Sequence, residues 1–205
     1  MADFSAQDVQ KLRQAAGVGV MDAKKALADA GGDFDKAFEL LRERGLAAAA
    51  KRAGREASEG AIGSYIHLQA DRPVLGVLVE LACETDFVAK SAEFNEAAND
   101  IAMHVSWGNP AWITVDEVDP DAVEKEKDLI RREAIAAGKP EQAIDKIVEG
   151  RIQKFYRENV LYEQEFVNKD KFDGTVGEMV KQLAAKMGEN ISVRRICRIA
   201  VGEQG

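Results

Sequence analysis

Few residues in this 205-residue chain are of a type that does chemistry. Two histidines, His67 and His104, and two cysteines, Cys83 and Cys197, are the candidate metal ligands and nucleophiles. The cysteines form no Cys-x-x-Cys motif and the histidines show no metal-binding spacing. His67, with no second ligand near it, reads better as a sheet-surface residue than as a catalyst. Glu84 and Asp86 are close enough in sequence for paired-carboxylate work, but adjacent carboxylates are too common to define acid–base catalysis. Phosphate-loop, dinucleotide and nucleophile-elbow glycine motifs are all absent. The chain reads as an interaction protein and not an enzyme, with no cofactor and no metal ion expected.

Glu84 and Asp86 nevertheless belong to a distinctive stretch, Cys83-Glu84-Thr85-Asp86-Phe87-Val88. It follows the most apolar run, Val74-Leu75-Gly76-Val77-Leu78-Val79-Glu80-Leu81, which predicts a buried strand. It precedes a helix with Phe94, Ala97, Ala98, Ile101, Ala102 and Val105 on one stripe. The hand-over from strand to helix is a place where a side chain can be held firmly. Two readings are open. Thr85 or Asp86 caps the helix and Phe87 staples it to the core, or the segment projects for contact. Taken alone, the residues favour the capping reading.

Composition narrows the class. A net charge of −8 argues against general nucleic-acid binding. The basic clusters Lys51-Arg52/Arg55 and Arg194-Arg195/Arg198 are expected to be solvated faces beside acidic neighbours. No apolar run spans a bilayer, and Met1-Ala2-Asp3-Phe4-Ser5 is not a secretory signal. Two distant cysteines fit a reducing cytoplasm.

The positioning elements follow in order. Ser5-Ala6-Gln7-Asp8 opens a helix through about Ala16, carrying Val9, Leu12 and Ala16. Gly17-Val18-Gly19-Val20 breaks it, and Asp22 starts a second helix. Asp33 caps a third, with Phe34, Ala37, Phe38 and Leu41 inward and Gly45 as its stop. Residues 1–45 thus form a three-helix docking module, and 46–59 a helical or flexible linker. Val20 and Met21 either plug the bundle's end or form an exposed apolar knob; the residues alone leave the two even. Residues 60–205 make the core domain. It begins with a hairpin turning at Gln69-Ala70-Asp71-Arg72-Pro73, its first strand carrying Ile62, Ile66 and Leu68 on one face. Trp107 and Trp112 are expected to cover the end of the core. A charged helical arm spans about 120–165, a capping box at Thr175 opens a further helix, and a final strand holds Ile191, Val193, Cys197, Ile199 and Val201. The fold class is α+β: a three-helix bundle, then a small antiparallel sheet packed with helices.

Several of these stretches together resemble the translation elongation factor Ts family. They are Gly17-Val18-Gly19-Val20-Met21-Asp22-Ala23-Lys24-Lys25-Ala26-Leu27, Tyr65-Ile66-His67, Cys83-Glu84-Thr85-Asp86-Phe87-Val88-Ala89, Ile147-Val148-Glu149-Gly150-Arg151, and Gly188-Glu189-Asn190-Ile191 with Val193-Arg194-Arg195. They occur in family order along nearly the whole chain. The resemblance implies that the N-terminal module is a ubiquitin-associated-type bundle. It also implies a guanine-nucleotide exchange factor whose partner is elongation factor Tu, GDP-bound and nucleotide-free. By that similarity Thr85, Asp86, Phe87 and Val88 form a wedge beside the partner's magnesium. Leu12, Arg13, Val20, Met21 and Lys24 become the second contact, which favours the exposed knob. Val20 departs from the family's usual Met.

The chain has room for one sheet where longer members have a second core subdomain, so the resemblance implies a short form closing as a C2 homodimer, with Cys197 near that contact. A buried free thiol is the expected state of Cys197. No direct nucleic-acid or membrane partner is expected, and the setting is cytoplasmic. A helical adaptor using only its N-terminal bundle is the alternative, and it leaves the sheet unexplained. An enzyme would need a pocket gathering Glu80, Glu84, His67 or His104. Exposure of Asp86 and Phe87 separates the readings.

Overall fold

The computed structural model describes residues 4–16 and 18–203. Met1, Ala2 and Asp3 of the N-terminal stretch, Gly17 of the glycine turn, and residues 204–205 at the end of the expected core domain lie outside the described residues. The chain divides into two compact units. One comprises Met1–Gly60, Ala82–Phe94 and Val180–Ser192; the other comprises Ala61–Leu81, Asn95–Met179 and Val193–Gly205. Several elements run through both.

The first unit contains a bundle of α1 (Ala6–Ala16), α2 (Val20–Asp29) and α3 (Phe34–Arg52). Ser5 and Asp8 form a reciprocal capping box: the Ser5 N–H donates to Asp8 Oδ2 at 2.8 Å, and the Asp8 N–H donates to Ser5 Oγ at 3.2 Å. The Ser5 hydrogen bonds hold the Asp8 carboxyl below its usual range. Val9, Leu12, Ala23, Ala26, Leu27, Ala37 and Leu41 make the core. Its three alanines allow close helix approach. Phe34 and Phe38, expected inward, are instead exposed. Ala37 and Leu41 occupy the narrow inward stripe, and the two rings fall on its flank.

Gly45 does not stop α3, which continues to Arg52. An added Cβ at Gly45 would come within 3.3 Å of the Ala185 side chain, so this glycine serves close approach and not a turn. The helix ends ahead of Gly54, whose φ of +92° lies in the left-handed region.

The three-stranded antiparallel sheet has the order β1-β2-β3, from β1 (Glu59–Gln69), β2 (Arg72–Cys83) and β3 (Ser192–Ala200). Ala70 and Asp71 both have positive φ, at 49° and 62°, as a two-residue hairpin of primed type requires. β2 is not buried throughout. Val77, Val79 and Leu81 are buried while Leu78 is exposed, the alternation of a strand covered on one face. The covering element is α5 (Ala92–Gly108), whose Phe94, Ala97, Ala98, Ile101, Ala102 and Val105 are all buried. At Gly63 a Cβ would lie 2.0 Å from the Ala98 carbonyl oxygen, so helix and strand meet backbone to backbone there. Ser64 N–H donates to Asn99 Oδ1 at 2.9 Å beside that contact.

The arm consists of α6 (Pro120–Ala136) and α7 (Glu141–Asn159), joined through Gly138 at φ +67°. It has its own core of Val123, Ile130, Ala134, Ile144, Val148 and Ile152, against which Trp112 packs. Trp107 does not cover the core; it stands 71% exposed. His104 is a satisfied core histidine. Its Nε2 meets Gln164 Oε1 at 2.9 Å and its Nδ1 accepts the Val167 N–H at 3.2 Å, so the proton sits on Nε2. Burial pulls its pKa below the usual 6.5 despite the Gln164 bond. The last helix, α8 (Val176–Met187), starts at the expected capping box, with Thr175 and Glu178 exchanging hydrogen bonds of 3.0 and 3.2 Å. Gly188, at φ +74°, ends it.

Candidate partner-contact site

Strand β2 finishes at Cys83 and a single helical turn, α4 (Asp86–Ala89), begins three residues later. Thr85 is its N-cap: the backbone is extended (φ −125°, ψ 152°) and Oγ1 accepts the Val88 N–H at 3.4 Å. The rest of the turn is held from the far end of the chain. Glu189 Oε2 accepts the N–H groups of Glu84 and Thr85 at 2.9 and 3.1 Å. Its Oε1 accepts the Thr85 hydroxyl at 2.5 Å. Glu84 returns the grip, with Oε1 accepting the Asn190 N–H at 2.7 Å. Asn190 Nδ2 donates to the Arg55 carbonyl at 2.7 Å, and the Arg55 guanidinium stands 3.7 Å from Glu84. Beneath the turn, Cys83 Sγ donates to the Thr85 carbonyl at 3.2 Å. Burial, with the Glu189 charge adding to it, raises the Cys83 pKa and keeps the thiol a donor.

On this support adjacent side chains go opposite ways. Val88 is 5% exposed and anchors the turn, whereas Phe87 is 82% exposed. Thr85 thus caps the helix as the local reading foresaw, but Phe87 is not the staple. Asp86 is exposed and pairs with Lys90 at 2.6 Å, a bond that holds its carboxyl below the usual 3.8.

The bundle carries the other sequence-predicted residues. Leu12 is fully buried in its core, and Arg13 and Lys24 are exposed. Val20 and Met21, 54% and 75% exposed, open α2 directly after Gly19, an N-cap with no side-chain hydrogen bond. Both sets of residues fall in the first unit.

Sequence reading assigned no role to Glu189 or Asn190. Local spacing cannot link residues 104 positions apart; the signal available was a charged and an amide residue between a helix-ending glycine and a strand. Members of both basic clusters are paired, Arg55 with Glu84, Arg195 with Glu80 and Arg198 with Glu203. In the second unit, a groove of about 600 Å³ is lined by Tyr65, His67, Leu75, Met103, Trp107 and Val167 among others. His67 lies on its wall, 3.3 Å from the Tyr65 hydroxyl. Among the described residues no cluster of His, Cys, Asp and Glu could hold a metal ion, and no helix is long and apolar enough to cross a membrane.

Both sites place apolar side chains in solvent, an arrangement suited to contact with another protein. The family model described as Elongation factor TS matches residues 45–173. Elongation factor Ts of Desulforamulus reducens is 51% identical over 203 residues, covering 99% of this chain and 91% of that protein. The proteins of the same name from Fervidobacterium nodosum and Thermosipho melanesiensis are each 49% identical, over 98% of this chain and 100% of theirs. The chain belongs to the elongation factor Ts family, among the elongation factors of protein biosynthesis.

Proposed function

We propose that the chain is a guanine-nucleotide exchange factor that binds GDP-bound elongation factor Tu in the cytoplasm and accelerates GDP release. The observation that carries this reading is Phe87, a large ring exposed on a turn whose backbone is fixed by hydrogen bonds. A rigid ring of this kind can displace side chains in the partner's nucleotide site. Asp86 beside it brings a carboxylate that, once freed from Lys90, disturbs the charge arrangement around the partner's magnesium. That ion neutralises the GDP phosphates, so dislodging it loosens the nucleotide. No covalent bond changes. Thr85 and Val88 serve the wedge by capping and anchoring it.

The bundle contributes affinity through Val20, Met21, Arg13 and Lys24, with Leu12 holding their support. Linkage constrains the cycle. The factor must bind the nucleotide-free partner better than the GDP-bound one, and GTP expels it by the same coupling.

Stopped-flow release of a fluorescent GDP from elongation factor Tu tests the reading. Phe87→Ala is expected to slow maximal release on the order of a hundredfold with an unchanged melting temperature. A wild-type protein that gives no acceleration overturns the function; a fast Phe87→Ala protein overturns the wedge.

The chain also acts as a homodimer in this reading. Ile62, Ile66, Leu68, Leu78 and Ile199 are exposed in the second unit, and Cys197 in β3, expected to be buried, is instead an exposed free thiol, because its end of the strand faces out of the described chain. Such apolar area suits a self-complementary C2 contact. Sedimentation equilibrium should show a dimer that Leu78→Arg converts to monomer; a monomeric wild type at all concentrations excludes the pair.

A further inference from the structure

We propose that Glu189 is the positioning residue of the wedge, setting the presentation of Phe87 through the chain and not by contact with the partner. The inference rests on the exchange reading above and adds a residue to its machinery. The N–H groups of Glu84 and Thr85 precede the first turn of α4, where no helical carbonyl is available to them. Glu189 takes both on one oxygen, at 2.9 and 3.1 Å, and the Thr85 hydroxyl on the other, at 2.5 Å. Two oxygens gripping three donors fix the turn in rotation as well as position.

The hydroxyl then relays the grip. Because its proton points at Glu189, its lone pairs face the Val88 N–H, 3.4 Å away. The carboxylate thereby orients the helical turn that carries Phe87. The reverse bond from Asn190 N–H to Glu84, at 2.7 Å, prevents the corner after α8 from sliding relative to the turn. Only an acceptor on both oxygens serves all three donors. A glutamine places its NH₂ against one set, so Glu189→Gln should fall between wild type and Glu189→Ala.

The test is a double-mutant cycle on GDP release from elongation factor Tu, with Glu189→Ala, Phe87→Ala and the double variant. Glu189→Ala is expected to lower the maximal rate on the order of tenfold. The double variant should be no slower than Phe87→Ala alone, because Glu189 acts through that ring. In the free protein, hydrogen exchange should show protection lost at the Glu84 and Thr85 amides in Glu189→Ala and retained in Phe87→Ala. A Glu189→Ala protein as fast as wild type overturns the proposal while a slow Phe87→Ala keeps the wedge. Full additivity overturns it too, placing Glu189 elsewhere in the reaction. If Phe87→Ala itself is fast, the wedge falls and the positioning role with it. Should Glu189→Ala fail to fold, Thr85→Val, which removes only the hydroxyl of the relay, enters the same cycle with the same expectation.

Discussion

Two of the exposed apolar sites in the first unit, at Phe87 and at Val20 with Met21, are held in different ways. Phe87 sits on a turn gripped by one carboxylate through three hydrogen bonds, with buried Val88 as its root. Val20 and Met21 sit at a helix start whose N-cap glycine offers no side-chain bond, above a core built largely of alanine and leucine. A ring that must push another protein's atoms aside needs a stiff mount. A methionine that only adds contact area needs none, and its unbranched thioether adapts to the surface it meets. In the proposed exchange reaction, the first kind of site governs rate and the second governs affinity.

Three substitutions can break or sharpen that division. Leu12→Ala has the largest expected effect, about 3 kcal/mol, because it empties the centre of the bundle. Thermal melts would read the loss, and the half-saturating concentration should rise while the maximal GDP-release rate holds. Phe87→Ala comes next, with its roughly hundredfold loss confined to the maximal rate. Met21→Ala is the mildest. Loss of an exposed side chain's contact area should raise the half-saturating concentration about tenfold and leave the maximal rate alone. A Met21→Ala protein that loses maximal rate, or a Phe87→Ala protein that loses only affinity, would merge the two kinds of site into one.

Much of the fold was legible because its signals are local. The stripe from Phe94 to Val105 is all buried in α5, and the turn at Ala70-Asp71 lies where the hairpin was expected. The capping boxes at Ser5 and Thr175 both form. What escaped depended on a partner segment. Gly45 looked like a helix stop, and only Ala185 beside it explains a glycine within a continuing helix. The run from Val74 read as a buried strand, yet a sheet covered by α5 on one side leaves Leu78 outside. At the turn, a cap at Thr85 or Asp86 could be read from adjacent residues, and the structure makes it Thr85. Which of Phe87 and Val88 turns inward could not be read, because the residues that hold the turn include the distant Glu189.

The separation between the clamp and its turn also orders events during synthesis. The bundle draws its core from residues between Val9 and Leu41, so its contacts are local and close quickly. Glu84 and Thr85 instead wait for Glu189, and closing so long a loop is entropically slow. As the chain emerges from N- to C-terminus, the three helices of the bundle are complete while the proposed wedge still lacks its mount. A nascent chain can therefore hold a folded bundle, with its proposed contact at Val20 and Met21, well before it carries a rigid Phe87.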